Sequence, residues 1–174
     1  MSFFSDESQA LDGKIGGPGV VVEVDETKIG KRKFHRGRVV DGQWIFGMVE
    51  RNGGELRLEG CQDNKRDKKT LLELLNKHVS KGSVIMSDCW KGYAGLEEEG
   101  FQHFTVNHSE HFVDPETGAH TQTIESNWRA LKRRLSRGGV RQKDLGLHFA
   151  EHLWFKIHKA DPFKRMLIEI KTYA

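Results

Sequence analysis

The stretch QWIFGMVERNGGELRLEG, residues 43–60, leaves this chain few folds to choose from. QWIFGMVE (43–50) reads as a strand, RNGG (51–54) as a hairpin turn, and ELRLEG (55–60) alternates apolar with charged side chains as a second strand. Upstream, the β-branched run VVVEVDE (20–26) reads as a strand too, so the first third of the chain is expected to form an antiparallel meander. The pattern then changes. DKKTLLELLNKHV (67–79) sets Leu71, Leu72, Leu74 and Leu75 at helical spacing, with Lys and Glu outside. GSVIMSD (82–88) is a short buried strand ending in Asp88, WKGYAGLEEE (90–99) a short helix packed by its aromatics, and FQHFTVN (101–107) a fifth strand. A loop with Pro and Gly punctuation covers 108–120. Helices follow over 120–135 and 144–159, and Asp161-Pro162 marks the cap and first position of a last one.

Three strands, helix, strand, helix, strand, then helices is an α/β arrangement. It predicts a mixed five-stranded sheet, three antiparallel strands and then two more, flanked by helices, which is the ribonuclease-H-like (RNase H-like) pattern. Order alone fits other α/β folds as well. Residues 1–18, polar and Gly-rich near their end, read as a flexible N-terminal lead, with one domain over 19–174. With 36% hydrophobic and 30% charged residues among 174, the chain has the makings of a real core. Its apolar runs fall short of the roughly 18 residues that span a membrane, and no signal peptide is visible at the N-terminus. Two cysteines are too few for a disulfide framework or a four-cysteine zinc site. The expected setting is reducing: cytoplasmic in a bacterium, nuclear in a eukaryote, neither secreted nor membrane-bound.

The net charge of +3 says little, but its distribution says more. KIGKRKFHRGR (28–38) holds six Lys/Arg and one His, and RALKRRLSRGGVRQK (129–143) is as basic. Either run alone reads equally well as a solvated surface. Beside an acidic site, the two together suit a phosphate backbone. Three acids occupy such a site. Asp25 ends the first strand, Asp88 the fourth, and Glu125 lies at the start of the helix HTQTIESNWRALKRRL (120–135). Carboxylates from two adjacent strand ends and one helix can hold two Mg²⁺ ions, which keep much of their water and take few protein ligands. Around that helix, with Ile124 at 0°, Trp128, Leu131 and Leu135 fall within about 40° of it, while Glu125 and Lys132 sit at about 80–100°, on the border of the buried stripe. Glu23 shares Asp25's face of the strand and competes with it for the role; Glu26 points to the other face.

The stretches VVEVDETKIGKRK, GQWIFGMVER, SDCWKGY, VNHSEHFVDPETGAHTQTIESNWRALK and FAEHLWF resemble the catalytic domain of Merlin-type DDE transposases and the related bacterial insertion-sequence transposases. The resemblance covers roughly residues 18–158, and its long VNHS…QTIE block is highly specific. It implies an RNase H-like fold and an Asp-Asp-Glu triad at Asp25, Asp88 and Glu125. The 36 residues between the last two are similar to the family spacing, and Lys132 is the basic residue seven after the Glu. It further implies Mg²⁺ or Mn²⁺, two ions, and metal-dependent DNA strand cleavage and strand transfer at transposon ends. The partners would be transposon-end and target DNA, with a homo-oligomer assembled on that DNA. The expected DNA contacts are Lys132, Lys28, Lys31, Arg32, Lys33, Arg36, Arg129 and Arg133. His120 and Asn107 are expected to support the active site.

Such transposases usually carry an N-terminal DNA-recognition domain, and none of the 24 residues before Asp25 suits that task. A domesticated or truncated copy acting as a non-catalytic DNA-binding or assembly module is therefore the alternative. His103, His108, His111 and His120 match no zinc spacing. Cys89 is expected to be a small buried residue rather than a nucleophile. Asp63, Asp67 and Asp114 read as loop or capping residues, Trp128 and Trp154 as core. Trp90 and Tyr93 read as core, with base stacking as the second reading.

Overall fold

The alternation of β1 (Val21–Ile29) decides how the sheet is covered. The computed structural model describes residues 13–30, 42–107, 113–115, 118–135 and 144–173. In it Val22 and Val24 are fully buried on one face of β1, while Glu23 and Asp25 belong to the other. β2 (Gln43–Glu50) pairs antiparallel with β1, and β3 (Leu56–Gly60) antiparallel with β2. The RNGG turn between them closes through Gly54 N–H donating to the Glu50 carbonyl at 2.9 Å, with Gly54 in the left-handed region at φ 68°. β4 (Val84–Asp88) lies parallel to β1 on its other edge, and β5 (Gln102–Val106) parallel to β4. The order β3-β2-β1-β4-β5 is the mixed five-stranded sheet expected from the sequence. The fold is RNase H-like.

Among the described residues of the unit that holds the sheet, one helix packs on each face. α1 (Lys68–His78) begins where the Asp67 carboxylate accepts the Thr70 N–H at 2.9 Å, the capping role expected of that residue. Its Leu71 and Leu75 join Val22, Val24, Phe46 and Met48 in one core. α2 (Gln122–Leu135) buries Ile124, Trp128, Leu131 and Leu135, the four residues of the expected stripe. Its approach to the sheet depends on Gly47. A Cβ there would lie 2.5 Å from the Trp128 ring and 2.9 Å from Ile124 Cδ1. Gly47→Ala is therefore expected to push the indole outward and cost about 1–3 kcal/mol. Chemical denaturation followed by tryptophan emission will read both effects, and an unchanged midpoint would show that α2 docks without needing this gap.

Two expectations are corrected. Residues 90–99 do not form a helix: a single 3-10 turn, Lys91–Tyr93, gives way to further turns. Gly95 and Gly100, both at φ 84°, hold left-handed backbone that a continuing helix cannot accommodate. Cys89 is exposed, not buried, because β4 has ended one residue before it. Of the expected lead, residues 1–12 lie outside the described residues, whereas 13–18 are bonded to the rest of their unit. Ile15 N–H donates to the His78 carbonyl and Ser80 N–H to the Ile15 carbonyl, each at 2.9 Å, and Ile15 is buried.

The chain divides into two compact units, Gly13–Gln142 and a second that includes Lys143–Ala174. The second holds α3 (Leu145–Ile157) and α4 (Pro162–Tyr173). Asp161 accepts the Lys164 N–H at 3.0 Å at the start of α4, and Trp154 Nε1 donates to Glu169 at 3.2 Å. Among the described residues no helix is long and apolar enough to cross a membrane.

Candidate active site

The paired stretch of β1 and β4 ends at Glu23 and Met86. Continuing that register two residues sets Asp25 opposite Asp88, where the two strands are no longer paired. A crevice at the carboxyl ends of neighbouring parallel strands is where open α/β sheets place their ligands. Asp25 is half-buried and its Oδ2 accepts the Trp128 indole N–H at 2.9 Å. Asp88 Oδ1 accepts the Trp90 N–H at 3.0 Å, which fixes the turn after β4. Glu125, half-buried in the first turn of α2, accepts the Thr121 hydroxyl at 3.1 Å through Oε1.

Electrostatics joins the three. Asp25 is pushed up from an ordinary 3.8 to about 6, chiefly by burial. Hydrogen bonds from Glu26 N–H and Trp128 oppose the rise, and the charges of Asp88 and Glu125 add to it. Glu26, on the opposite face of β1, is raised from 4.5 to about 7, again chiefly by burial. The Tyr93 hydroxyl, donating to its Oε1 at 2.8 Å, holds it down, and the charges of Asp25 and Asp88 push it up. Tyr93 itself is buried, the core role expected of it.

Glu23 does something the sequence did not reveal. Its carboxylate is fully buried and is the anchor of α2. Oε2 accepts the Thr123 N–H at 2.7 Å and the Ile124 N–H at 3.0 Å; Oε1 accepts the Thr123 hydroxyl at 2.8 Å and pairs with Arg51 Nε at 2.9 Å. Those backbone donors are among the ones a helix N-terminus leaves without an internal partner, and a negative charge is favoured there. Arg51 also donates to the His120 carbonyl at 2.9 Å, and His120 Nδ1 lies 3.4 Å from Glu23. The residue that follows this anchor along α2 is Glu125. Glu23 therefore joins β1, the end of β2 and the start of α2, while Asp25 on the same strand face looks into the crevice.

The remaining expected residues are scattered. Lys132 and Arg129 are exposed on α2, with Arg133 exposed beside them. Lys28 lies on β1, its Nζ 5.6 Å from the Trp44 ring centroid. Asn107 is exposed just after β5. Lys31, Arg32, Lys33 and Arg36 lie outside the described residues, as do His108 and His111. His103 pairs with the Ser87 hydroxyl at 2.8 Å, and among the described residues it belongs to no group of three His, Cys, Asp or Glu that could hold a metal.

The family model of the ISXO2-like transposase domain matches residues 12–149. The chain belongs to this family. An uncharacterized transposase-like protein of Haemophilus influenzae is 30% identical over 86 residues, which span 49% of this chain and 68% of that one. Among solved structures, this transposase domain is similar to the catalytic core domain of BIV integrase (TM-score 0.43, 16% identity, 68% of this chain and 70% of that one). It is likewise similar to the HTLV-2 integrase catalytic core domain in complex with magnesium (TM-score 0.45, 12% identity, 79% and 85%).

The donor set suits a hard divalent cation. Asp25, Asp88 and Glu125 offer carboxylate oxygens only, and the charges of the other two raise the proton affinity of Asp25. Among the described residues no three His, Cys, Asp or Glu side chains are already drawn into a metal-ligating group.

Proposed function

We propose that this transposase domain cleaves a DNA strand at a transposon end and transfers it to target DNA, with Asp25, Asp88 and Glu125 as the catalytic carboxylates. What supports the reading is that the strand register sets Asp25 opposite Asp88 and that the charges of Asp88 and Glu125 both act on Asp25. These residues would hold Mg²⁺ or Mn²⁺, two ions. When bound, such ions supply charge stabilisation to the attacking and leaving oxygens of an in-line phosphoryl displacement.

The chain's own residues do the rest. The Trp128 indole N–H fixes one oxygen of Asp25, the Trp90 amide fixes one of Asp88, and the Thr121 hydroxyl orients Glu125. The Glu23 anchor keeps the first turn of α2, and with it Glu125, against β1. Lys132, one helical repeat beyond Glu125 on the same side of α2, faces solvent and would take a phosphate of the bound strand. Arg129 and Arg133 would extend that contact, as would Lys28 and the basic stretch holding Lys31, Arg32, Lys33 and Arg36. His120, tied to the Glu23–Arg51 pair, would support the site from behind.

The test is strand cleavage and joining by the wild-type protein on duplex DNA carrying the element's own ends. Product is expected with Mg²⁺ or Mn²⁺ and none with EDTA. Binding of those ends without any cleavage in either metal would favour a non-catalytic DNA-binding or assembly module instead.

A further inference from the structure

The backbone fixes Asp25 and Asp88 each on its outer side and leaves the gap between them open. Asp25 stands in register with Gly47 of β2, and Asp88 with Val106 of β5. Between β1 and β4 the ladder stops at Glu23 and Met86, two residues short of either aspartate. Carboxylates that are to share a cation must be held within about 0.5 Å of the productive geometry. Something other than strand pairing has to set their separation.

A side-chain hydrogen bond crosses that gap from behind. Glu26 follows Asp25 on β1 and belongs to the opposite face, the one that α1 covers. Tyr93 lies on the 3-10 turn after β4, and its hydroxyl donates to Glu26 Oε1 at 2.8 Å. The turn is itself fastened to Asp88, whose Oδ1 accepts the Trp90 N–H at 3.0 Å, while the Trp90 carbonyl accepts the Tyr93 N–H at 3.2 Å. Asp88 thus holds the turn, the turn carries Tyr93, and Tyr93 holds the residue next to Asp25.

The Tyr93 ring has little room to swing. It is fully buried, with the ring centroids of Phe46, His103 and Trp90 at 6.4, 6.2 and 5.9 Å, the last edge-on. His103 pairs in turn with the Ser87 hydroxyl, which donates to the Asp88 carbonyl at 2.8 Å. Gly92 lets the turn close, since a Cβ there would run into the Trp90 ring. Packing of this kind asks only for a phenyl ring. A buried hydroxyl adds a desolvation cost that its hydrogen bond must offset, so the hydroxyl is there for what it binds.

We propose that the hydrogen bond from Tyr93 to Glu26 is a clasp that sets the spacing of Asp25 and Asp88, which makes Tyr93 and Glu26 positioning residues of the carboxylate site. The inference rests on the metal-dependent reading above. The clasp is the counterpart of the Glu23 anchor. On one face of β1, Glu23 holds the helix that brings Glu125; on the other, Glu26 holds the turn that follows Asp88. Neighbours that orient a metal's ligands in this way govern how tightly the metal is held.

The experiment is Mn²⁺ binding to the full chain without DNA, read from the electron paramagnetic resonance of the free ion. Tyr93→Phe keeps the ring and removes only the donor, and is expected to weaken Mn²⁺ binding by about tenfold or more. Glu26→Gln and Glu26→Leu remove the same charge, but only leucine also removes the acceptor. The leucine variant should therefore bind Mn²⁺ about tenfold more weakly than the glutamine variant, a comparison that does not depend on Tyr93→Phe. Adding Tyr93→Phe to Glu26→Leu should change the affinity by less than about twofold, because the bond is already gone. A hydrogen bond of structural value alone would lower the melting temperature of Tyr93→Phe and leave the folded protein's Mn²⁺ affinity at the wild-type value. That result, or equal affinities for the two Glu26 variants, would overturn the clasp alone. A wild-type affinity no higher than that of Asp25→Asn would overturn the metal reading, and the clasp with it.

Discussion

Asp25→Asn is expected to abolish metal-dependent strand cleavage, by about a thousandfold or more, while making the metal-free protein more stable. The two effects have one origin. Asp25 is held in a half-buried crevice with like charges near it, and its carboxyl is raised from 3.8 to about 6. A raised acid costs the fold nothing below its unfolded value, where it is protonated in both states. The cost grows as pH rises from about 4 and is complete above about 6, where the folded state must carry the charge. Asparagine keeps an oxygen for the Trp128 indole N–H and removes the charge. The variant should therefore melt with wild type near pH 4 and above it at pH 7, by a margin on the order of 2 kcal/mol. Glu26, raised to about 7 by burial and in part by the charge of Asp25, is relieved as well in the variant, a change of the same sign. Added Mg²⁺ should raise the wild-type melting temperature at pH 7 and leave that of Asp25→Asn nearly unmoved. A variant no more stable than wild type at any pH would mean that the crevice does not strain its carboxylates.

Glu23→Gln is the second large effect, of opposite sign. It removes the charge from a fully buried carboxylate that serves Arg51, the Thr123 amide and hydroxyl, and the Ile124 amide. The glutamine oxygen cannot serve all four donors, and its own N–H₂ group would face some of them. Breaking a buried pair while leaving its partner charge in place costs about 3–5 kcal/mol. Denaturant titration reads this directly. At temperatures where the variant is folded, the loss should appear in the turnover rate rather than in DNA affinity, because the anchor holds Glu125 and touches no DNA-facing surface. Glu23→Asp keeps the charge but is one methylene short, and should fall between the two. A Glu23→Gln protein as stable as wild type would remove Glu23 from this anchoring role.

The contrast between Glu23 and Asp25 also shows what the sequence could convey. Strand alternation placed both on one face, and the strand-end position together with the family resemblance favoured Asp25 for the site. Nothing local marked Glu23 as an anchor, because its partners are Arg51, 28 positions away, and Thr123, 100 positions away. The strands and α2 were legible because period-2 and 3.6-residue patterns record which faces are buried: Gln43–Glu50 and the four-residue stripe of α2 appear as expected. Trp128 was legible as core, but its indole N–H reaching Asp25 depends on the gap left by Gly47, a tertiary matter. Residues 90–99 misled because their aromatics and acids suit a helix, while Gly95 and Gly100 need left-handed backbone.

The central claim is that Asp25, Asp88 and Glu125 act as one metal-dependent site, and Glu125 is its most distinctive member because it arrives on a helix rather than a strand. The direct measurement is strand cleavage and strand transfer in Mg²⁺ and in Mn²⁺ on end-bearing DNA, wild type against Glu125→Gln, with DNA binding measured on the same preparations. The site predicts loss of both reactions by about a thousandfold or more with binding retained; cleavage by Glu125→Gln at the wild-type rate would contradict it.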